Sequence, residues 1–466
     1  METGKGLNTD IIVARATASG AAALGVVRLS GGGSWSLVLG VLDKPVENPR
    51  SHRLYYRTVM EEGKVLDEAV VALFSEGKSF TGEESVEITV HGSEYILHRL
   101  QLLLIEHGAR LAEPGEFTQR AFLNGRLDLA QAEAVADIIA AEHAASHQVA
   151  VNQLKGGYSR EILDLREALL HYVSLVELEL DFGEEDVEFA NREELRALVS
   201  DLLHRTQRLY DSFYYGNALK QGFQLVLAGR PNAGKSTLFN ALLNEERAIV
   251  SDIAGTTRDS IEDRLVVDGI SVRLVDTAGI REATDTIERL GIARTLDRVS
   301  KSGATLYVFD ASAITPEDWL RDIMDLRSRT DQVWSVGNKL DLLDEPTCKQ
   351  WEDYGLRNDL GAIHWISAVR GGVSMDSTIS LIKQLFMHRF GSIGDQTTVT
   401  NLRHAEALLQ CNRDLEAVLQ GMDKGLSGDL MAFHIRGAIQ ALGSITGIID
   451  VEEILGSIFS RFCIGK

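Results

Sequence analysis

Apolar positions change their period several times along the chain. Over residues 1–125, short apolar runs (Ile11–Ala14, Val26–Leu29, Ala69–Phe74 and Val86–Val90) alternate with turns such as Gly31-Gly32-Gly33. A helix-period run, Tyr95–Ile105, follows His91-Gly92-Ser93, so this stretch predicts an α+β domain. From Leu127 to Tyr215 the period becomes that of helices. Leu129, Ala132, Ala136, Ile139 and Ala140 share one face, and Ile162–Leu180 keeps another. Glu184-Glu185-Asp186 reads as a solvated break between helices, and Asn191 with Glu194 as a capping box opening a helix over Leu195–Leu209. Between about Lys220 and Phe390, apolar runs at Phe223–Ala228, Ser271–Val275, Val333–Val336 and Ile363–Ile366 each end in a polar or glycine-containing loop. Arg264–Val267, Asp268-Gly269 and Ser271–Val275 predict a hairpin that puts an antiparallel edge strand on a parallel sheet. Helical runs return at Leu402–Leu419, Leu430–Leu442 and Val451–Phe462.

Helical sequence therefore flanks an α/β segment on both sides, and the simplest reading is an insertion whose flanks pack as one domain. The expected architecture is multidomain, α+β and α/β. It comprises an α+β domain at 1–125, an all-α domain at 126–219 and 391–466, and an inserted domain at 220–390, where a run matching GxxxxGKS, Gly229–Ser236, between an apolar strand and a helix makes a Ras-like P-loop fold the expectation.

The chemistry concentrates in the insert. Gly229-Arg230-Pro231-Asn232-Ala233-Gly234-Lys235-Ser236 joins an apolar strand to a helix beginning near Thr237, the pattern of a phosphate-binding loop. Glycines let the backbone curl until its N–H groups face phosphate oxygens, and the helix N-terminus adds positive potential. Lys235 is expected to reach the outer phosphates and Ser236 to hold Mg²⁺. Asp276-Thr277-Ala278-Gly279 ends a strand where a carboxylate can steer Mg²⁺ and the Gly279 N–H can meet a γ-phosphate. Asn338-Lys339-Leu340-Asp341 ends another. A carboxylate there accepts from N1–H and the 2-amino group of guanine, donors that adenine lacks. Ser367-Ala368 completes the base-side loop, and the ordered set implies a GTPase.

Composition narrows the partners. At 466 residues with 44% hydrophobic content the chain holds two or three domains with real cores. A net charge of −21 argues against a general nucleic-acid or membrane surface, so an RNA partner would need local basic patches or a second protein. Cys348, Cys411 and Cys463 form no metal-ligand spacing, which fits a reduced, cytoplasmic setting. No apolar run approaches a membrane span, and Ile11–Leu29, interrupted by Arg15 and Arg28, is not a secretory signal. His143 and His147 stand one helical turn apart, without a nearby third ligand.

The nucleotide motifs, the run Pro114-Gly115-Glu116-Phe117-Thr118-Gln119-Arg120-Ala121-Phe122-Leu123-Asn124-Gly125-Arg126-Leu127-Asp128-Leu129 and the ending Phe462-Cys463-Ile464-Gly465-Lys466 together resemble the bacterial and organellar tRNA-modification GTPases of the MnmE (TrmE) family. The resemblance covers essentially the whole chain. It implies an enzyme that builds a carboxymethylaminomethyl group on C5 of the wobble uridine. A flavin-binding partner would join it in a heterotetramer or larger assembly, with a tetrahydrofolate one-carbon unit (5-formyl or 5,10-methylene) as cofactor. It also implies a folate-binding N-terminal domain through which the chain forms a homodimer.

Carried over by position, the resemblance gives Arg28, Glu87, Arg126 and Lys466 as 5-formyltetrahydrofolate contacts. Arg126 stands where the family often has lysine. On local pattern alone, Arg28 and Glu87 read as solvated strand-face residues. Cys463 matches a family cysteine near the folate pocket, and also reads as small apolar packing. The implied GTP contacts are Asn232, Ala233, Gly234, Lys235, Ser236 and Thr237. Further contacts are Ser251, Asp252, Ile253, Ala254, Gly255, Thr256 and Thr257, then Asp276, Thr277, Ala278 and Gly279. The base side comprises Asn338, Lys339, Leu340, Asp341, Ser367, Ala368 and Val369. Mg²⁺ falls to Ser236 and Thr257, and K⁺ to Asn232, Ser251, Ile253 and Thr256. Ile280 occupies the position where Ras-like proteins orient water with glutamine; the resemblance assigns that role to Glu288, which local sequence reads as a solvated helix charge. Two other classes share these GTPase motifs: a regulatory GTPase switch such as a ribosome-assembly factor, and a folate enzyme with a purely regulatory GTPase.

Overall fold

The structure is a computed structural model that describes residues 10–181, 192–243, 262–267, 270–276, 303–330, 332–369, 373–390, 397–425, 427–448, 458, 459, 462, 463 and 465. The chain divides into two compact units, one of residues 1–140, 150–204 and 407–466, the other of 141–149 and 205–406.

The first unit is built on a six-stranded sheet. Its strands are β1 (Ile11–Arg15), β2 (Leu24–Ser30), β3 (Arg53–Glu61), β4 (Lys64–Phe74), β5 (Ser85–His91) and β6 (Ala109–Leu111), in the order β3-β4-β5-β2-β1-β6. Only β1 and β6 pair in parallel. Alternate residues Val13, Val27, Leu29, Val71, Leu73, Val86 and Ile88 form one buried face. Against it lie α1 (Ser34–Leu39) and α2 (Glu94–Glu106), which contributes Leu97, Leu100, Leu103 and Leu104. On the opposite face, Ile12 and Ala14 of β1 pack with Phe117 of α3 (Glu116–Leu123).

Residues 53–61 carried no strand signal, because β3 is an edge strand whose apolar side chains fall on both faces. Leu54 and Tyr56 are exposed while Val59 is buried.

The helices of this unit include α4 (Leu129–Ala140) and α6 (Gly157–Asp181), while α5 (Ala144–Leu154) spans both units in sequence. Helix α4 differs from its expected apolar stripe: Leu129, Ala130, Ala132 and Ala134 are buried, whereas Ile139 is exposed. Its first turns pack against Phe122 and Phe459. Helix α7 runs over Arg192–Gln221, longer than the expected Leu195–Leu209. Expected features at Glu184-Glu185-Asp186, at Asn191 and over most of Val451–Phe462 lie outside the described residues.

The Pro114–Leu129 motif owes its pattern to charge. Glu116 and Arg120, one helical turn apart on α3, both have buried side chains. The Arg120 guanidinium donates to Asp10 Oδ1 at 2.8 Å, Glu83 Oε2 at 3.1 Å and Glu116 Oε1 at 3.0 Å. Arg110 adds bonds to Asp10 Oδ2 and Glu116 Oε1, both at 2.6 Å. Burial alone would raise the Glu116 carboxyl, but Arg110, the Glu113 N–H and Arg120 outweigh it and hold it below the usual range.

The second unit carries β7 (Phe223–Ala228), β8 (Glu262–Val267), β9 (Ile270–Asp276), β10 (Ala304–Asp310), β11 (Val333–Asn338) and β12 (Ile363–Trp365) in the order β12-β11-β10-β7-β9-β8. All pairs are parallel except the β8–β9 hairpin, which supplies the expected antiparallel edge; its turn lies outside the described residues. Both faces are buried, as a parallel sheet requires. Leu225, Leu227, Leu306 and Val308 face a core that includes α8 (Lys235–Leu243) and α11 (Val373–Phe390). Val226, Tyr307 and Phe309 face Trp319 of α9 (Pro316–Arg327) and Trp351 of α10 (Glu345–Arg357). Helix α12 (Leu402–Lys424) spans both units in sequence, and α13 (Gly428–Thr446) packs on α6.

Arg120→Met should destabilise the first unit by about 3–5 kcal/mol, because the buried Glu116 and the partly buried Glu83 would keep their carboxylates without the central cation. Urea unfolding at neutral pH measures this. Glu116 has its folded pKa depressed, so its contribution is present above the unfolded carboxyl pKa and is lost as pH falls through the folded value. The Met variant should therefore show a smaller stability loss than the native chain on acidification below about pH 4.5.

Candidate nucleotide and cofactor sites

The phosphate loop begins where β7 ends. Gly229 has φ 143°, and a Cβ there would lie 2.0 Å from the Val308 carbonyl, so the loop can cross β10 this closely only as glycine. Asn232 has φ 64° and Gly234 φ 92°, which curl the chain before α8 starts at Lys235. The buried Lys235 ammonium donates to the carbonyls of Gly229 at 2.7 Å and Arg230 at 2.9 Å. Asn232, Ser236 and Thr237 are exposed, and Ala233 is buried.

The base-side loops follow β11 and β12. The Asn338 amide donates to the Ala233 carbonyl at 2.9 Å, and its oxygen accepts from the Ala368 N–H at 3.1 Å. One buried side chain thus joins the phosphate loop to the loop after β12. A Cβ on Gly234 would lie 2.1 Å from that amide nitrogen, which is why the loop needs glycine twice. The Leu340 N–H reaches the Ile366 carbonyl at 2.9 Å, and Ser367 Oγ donates to Asp341 Oδ1 at 2.6 Å. The Asp341 carboxylate is thereby oriented by a hydroxyl from the neighbouring loop. Val369 is exposed at the far side of this loop. The exposed amide oxygen of Asn232 and hydroxyl of Ser236 are hard oxygen donors, suited to K⁺ and Mg²⁺ respectively.

Asp276 ends β9, although its side chain is not described. Ser251, Asp252, Ile253, Ala254, Gly255, Thr256, Thr257, Thr277, Ala278, Gly279, Ile280, Glu288 and Lys466 lie outside the described residues.

Two further contacts were not read from the sequence. Lys339 pairs with Asp310 at the end of β10, Nζ to Oδ2 2.7 Å. Arg230, inside the phosphate loop, pairs with Asp322 at 2.7 Å and with Asp318 at 3.1 Å, both on α9. Tyr307 donates its hydroxyl to the same Asp322. The spacing of Asp318 and Asp322, one helical turn apart, is the signal that could have found the second.

In the first unit, Arg28 and Glu87 are cross-strand partners in the β2–β5 register. Arg28 Nε donates to Glu87 Oε1 at 2.9 Å, and Nη2 lies 2.8 Å from the same oxygen. The guanidinium also sits 5.9 Å from the Phe80 ring and 5.8 Å from Phe117. This corrects the local reading of both as solvated strand-face charges: each is half-buried and partnered by the other. Arg126 lines a surface cavity of about 520 Å³ with Phe122, Leu123, Asp128, Thr446 and Ile448. Arg28 and Glu87 are not among its lining residues.

The Cys463 side chain is exposed, which argues against apolar packing. Its segment is seated by two glycines. A Cβ on Gly465, at φ 100°, would lie 2.2 Å from the Arg15 carbonyl, and one on Gly115 2.7 Å from that of Phe459. Among the described residues there is no cluster of three or more His, Cys, Asp or Glu able to hold a metal, so His143 and His147 gain no third such partner there.

Residues 11–126 match the family description "GTP-binding protein TrmE N-terminus", and residues 129–463 match "MnmE helical domain". The chain is similar to the tRNA modification GTPase MnmE of Cytophaga hutchinsonii, 46% identical, with 98% of each chain covered. Its similarity to the protein of that name from Flavobacterium johnsoniae is 43% identity over 99% of this chain and 100% of the other. A further relative of that name, from Bacteroides thetaiotaomicron, is 42% identical with the same coverage. With both halves of the family pattern matched and such relatives aligned over nearly their whole length, the chain belongs to the MnmE/TrmE family of tRNA modification GTPases.

Proposed function

We propose that this protein binds and hydrolyses GTP in the service of tRNA modification. The single observation that carries the nucleotide reading is the Asn338 bridge, which holds the phosphate loop and the base-side loop together while Ser367 orients Asp341. Within the site, Lys235 is the cation available to outer phosphates, Ser236 the hydroxyl for Mg²⁺, and Asp341 the acceptor for the guanine edge. Mg²⁺ and K⁺, when bound, neutralise charge on the transferring phosphoryl group. Asn232 is the described residue proposed for K⁺, with Glu288 as the water-orienting group.

The finer reading is that, with a flavin-binding partner, the chain adds a carboxymethylaminomethyl group at C5 of the wobble uridine, using a tetrahydrofolate one-carbon unit. The similarity to relatives named tRNA modification GTPase supports it. Arg28 and Arg126 are cations suited to the folate glutamyl carboxylates, and Glu87 is an acceptor for pterin N–H groups. We place the chain in the cytoplasm as a homodimer, its GTPase domain inserted into a discontinuous helical domain. Among the described residues no helix is long and apolar enough to cross a membrane.

Three measurements test these roles. Asp341→Asn should shift preference from guanosine towards xanthosine nucleotides, since the amide can donate to the second carbonyl of xanthine. Competition binding in which GTP stays preferred removes Asp341 from base reading. Turnover is expected to be fast in potassium and slow in sodium, and Glu288→Ala should lower kcat with little change in GTP affinity. Equal turnover in both salts, or a fully active alanine variant, contradicts this. Finally, Arg28→Glu should weaken 5-formyltetrahydrofolate binding about tenfold or more while sparing GTP, as read by calorimetry.

A further inference from the structure

Asp310 is buried at the end of β10, where its register partner across the parallel ladder is Asn338. Its carboxylate is fully engaged. Oδ1 accepts from the Ser312 N–H at 2.9 Å and the Ser312 hydroxyl at 2.6 Å, and Oδ2 meets Lys339 Nζ at 2.7 Å. The Ala313 N–H closes the turn on the Asp310 carbonyl at 3.0 Å. The acceptor is therefore a rigid one.

Lys339 is fixed at its other end too. Its backbone is left-handed, φ 62° and ψ 37°, an unusual conformation for a residue with a side chain. The Leu340 N–H that follows is tied to Ile366. With the backbone in this uncommon conformation and the ammonium held by Asp310, the four methylenes between them are confined to few arrangements, two residues before Asp341. An unanchored lysine would have to give up its rotamer freedom when a base arrived.

We propose that Asp310 is a positioning residue for nucleotide binding, pre-ordering Lys339 so that its stem packs on the face of the purine whose edge Asp341 reads. The proposal rests on the nucleotide reading above. The Asp310 carboxyl is in the charged form this needs: burial raises it, but Lys339 and Ser312 together hold it below the usual carboxylate range. Packing on a base face is blind to the base edge. The contribution is therefore the same for guanine and for hypoxanthine, which lacks the 2-amino group.

The test is a double-mutant cycle on the full chain, titrating GDP and IDP by calorimetry. Asp310→Asn should weaken both about tenfold with their ratio unchanged, and Lys339→Ala should do the same. Asp310→Asn added to Lys339→Ala should cost nothing more, because the lysine through which it acts is gone. Asp310→Glu, which keeps the charge on a longer arm, should recover part of the loss. Near-UV circular dichroism without nucleotide checks each fold, and the Glu variant replaces the Asn variant in the cycle if the latter does not fold. Native-like affinity in Asp310→Asn, losses that multiply in the double variant, or a changed GDP-to-IDP ratio would overturn the proposal. An unchanged GDP affinity in Lys339→Ala would instead overturn the assignment of this loop to the base.

Discussion

The second unit depends on one buried amide. Parallel strands deliver their loops to the same edge of the sheet, but nothing in the ladder fixes the distance between those loops. Asn338 does so with its two ends, donating to Ala233 and accepting from Ala368. Asparagine suits the task because it offers donor and acceptor on one short, neutral side chain. Aspartate would face the Ala233 carbonyl with a second acceptor, and leucine would leave a buried carbonyl and N–H without partners. The glycines at 229 and 234 follow from the same crowding, since each lies too close to a neighbour to carry a side chain.

The first unit settles its charges differently. Arg120 and Arg110 are set among Asp10, Glu83 and Glu116 in a network where each buried charge is met by an opposite one. Arg28 and Glu87 are a smaller case, a cross-strand pair capped by two aromatic rings. The network is central to α3 and its packing, whereas the pair stands half-open to solvent. An ion pair left half-open can exchange its partner for a ligand of the same charge, which a sealed network cannot do without a large desolvation cost.

How much of this was legible depended on how local each signal was. The strand end at Ala228 was plain, and those read at Val275 and Val336 fell within two residues of the observed ends at Asp276 and Asn338, because parallel strands, buried on both faces, write largely apolar runs that stop abruptly. Strand β3 was not, since its exposed Leu54 and Tyr56 break the alternation expected of a half-buried strand. The α4 stripe was read too far, to Ile139, because periodicity records which residues share a face and not how far along it the packing extends. Contacts distant in sequence were hidden altogether: nothing near Glu87 reveals Arg28, and nothing near Lys339 reveals Asp310. The motif around Glu116 and Arg120 was noticed as a family signature, yet its physical basis needed Asp10 and Glu83 in view.

The seat of Gly465 on the Arg15 carbonyl has a consequence for biosynthesis. Strand β1 leaves the ribosome well before the residues that settle on its end, which follow it at the far side of the nucleotide domain in sequence. At about 5–20 residues per second the wait is on the order of tens of seconds, far longer than a small sheet needs to form. The β-sheet of the first unit can therefore assemble with that end of β1 still waiting for its cover, while the nucleotide domain is made and folds in the interval. A bulky side chain in place of Gly465 would meet the finished sheet at that docking step.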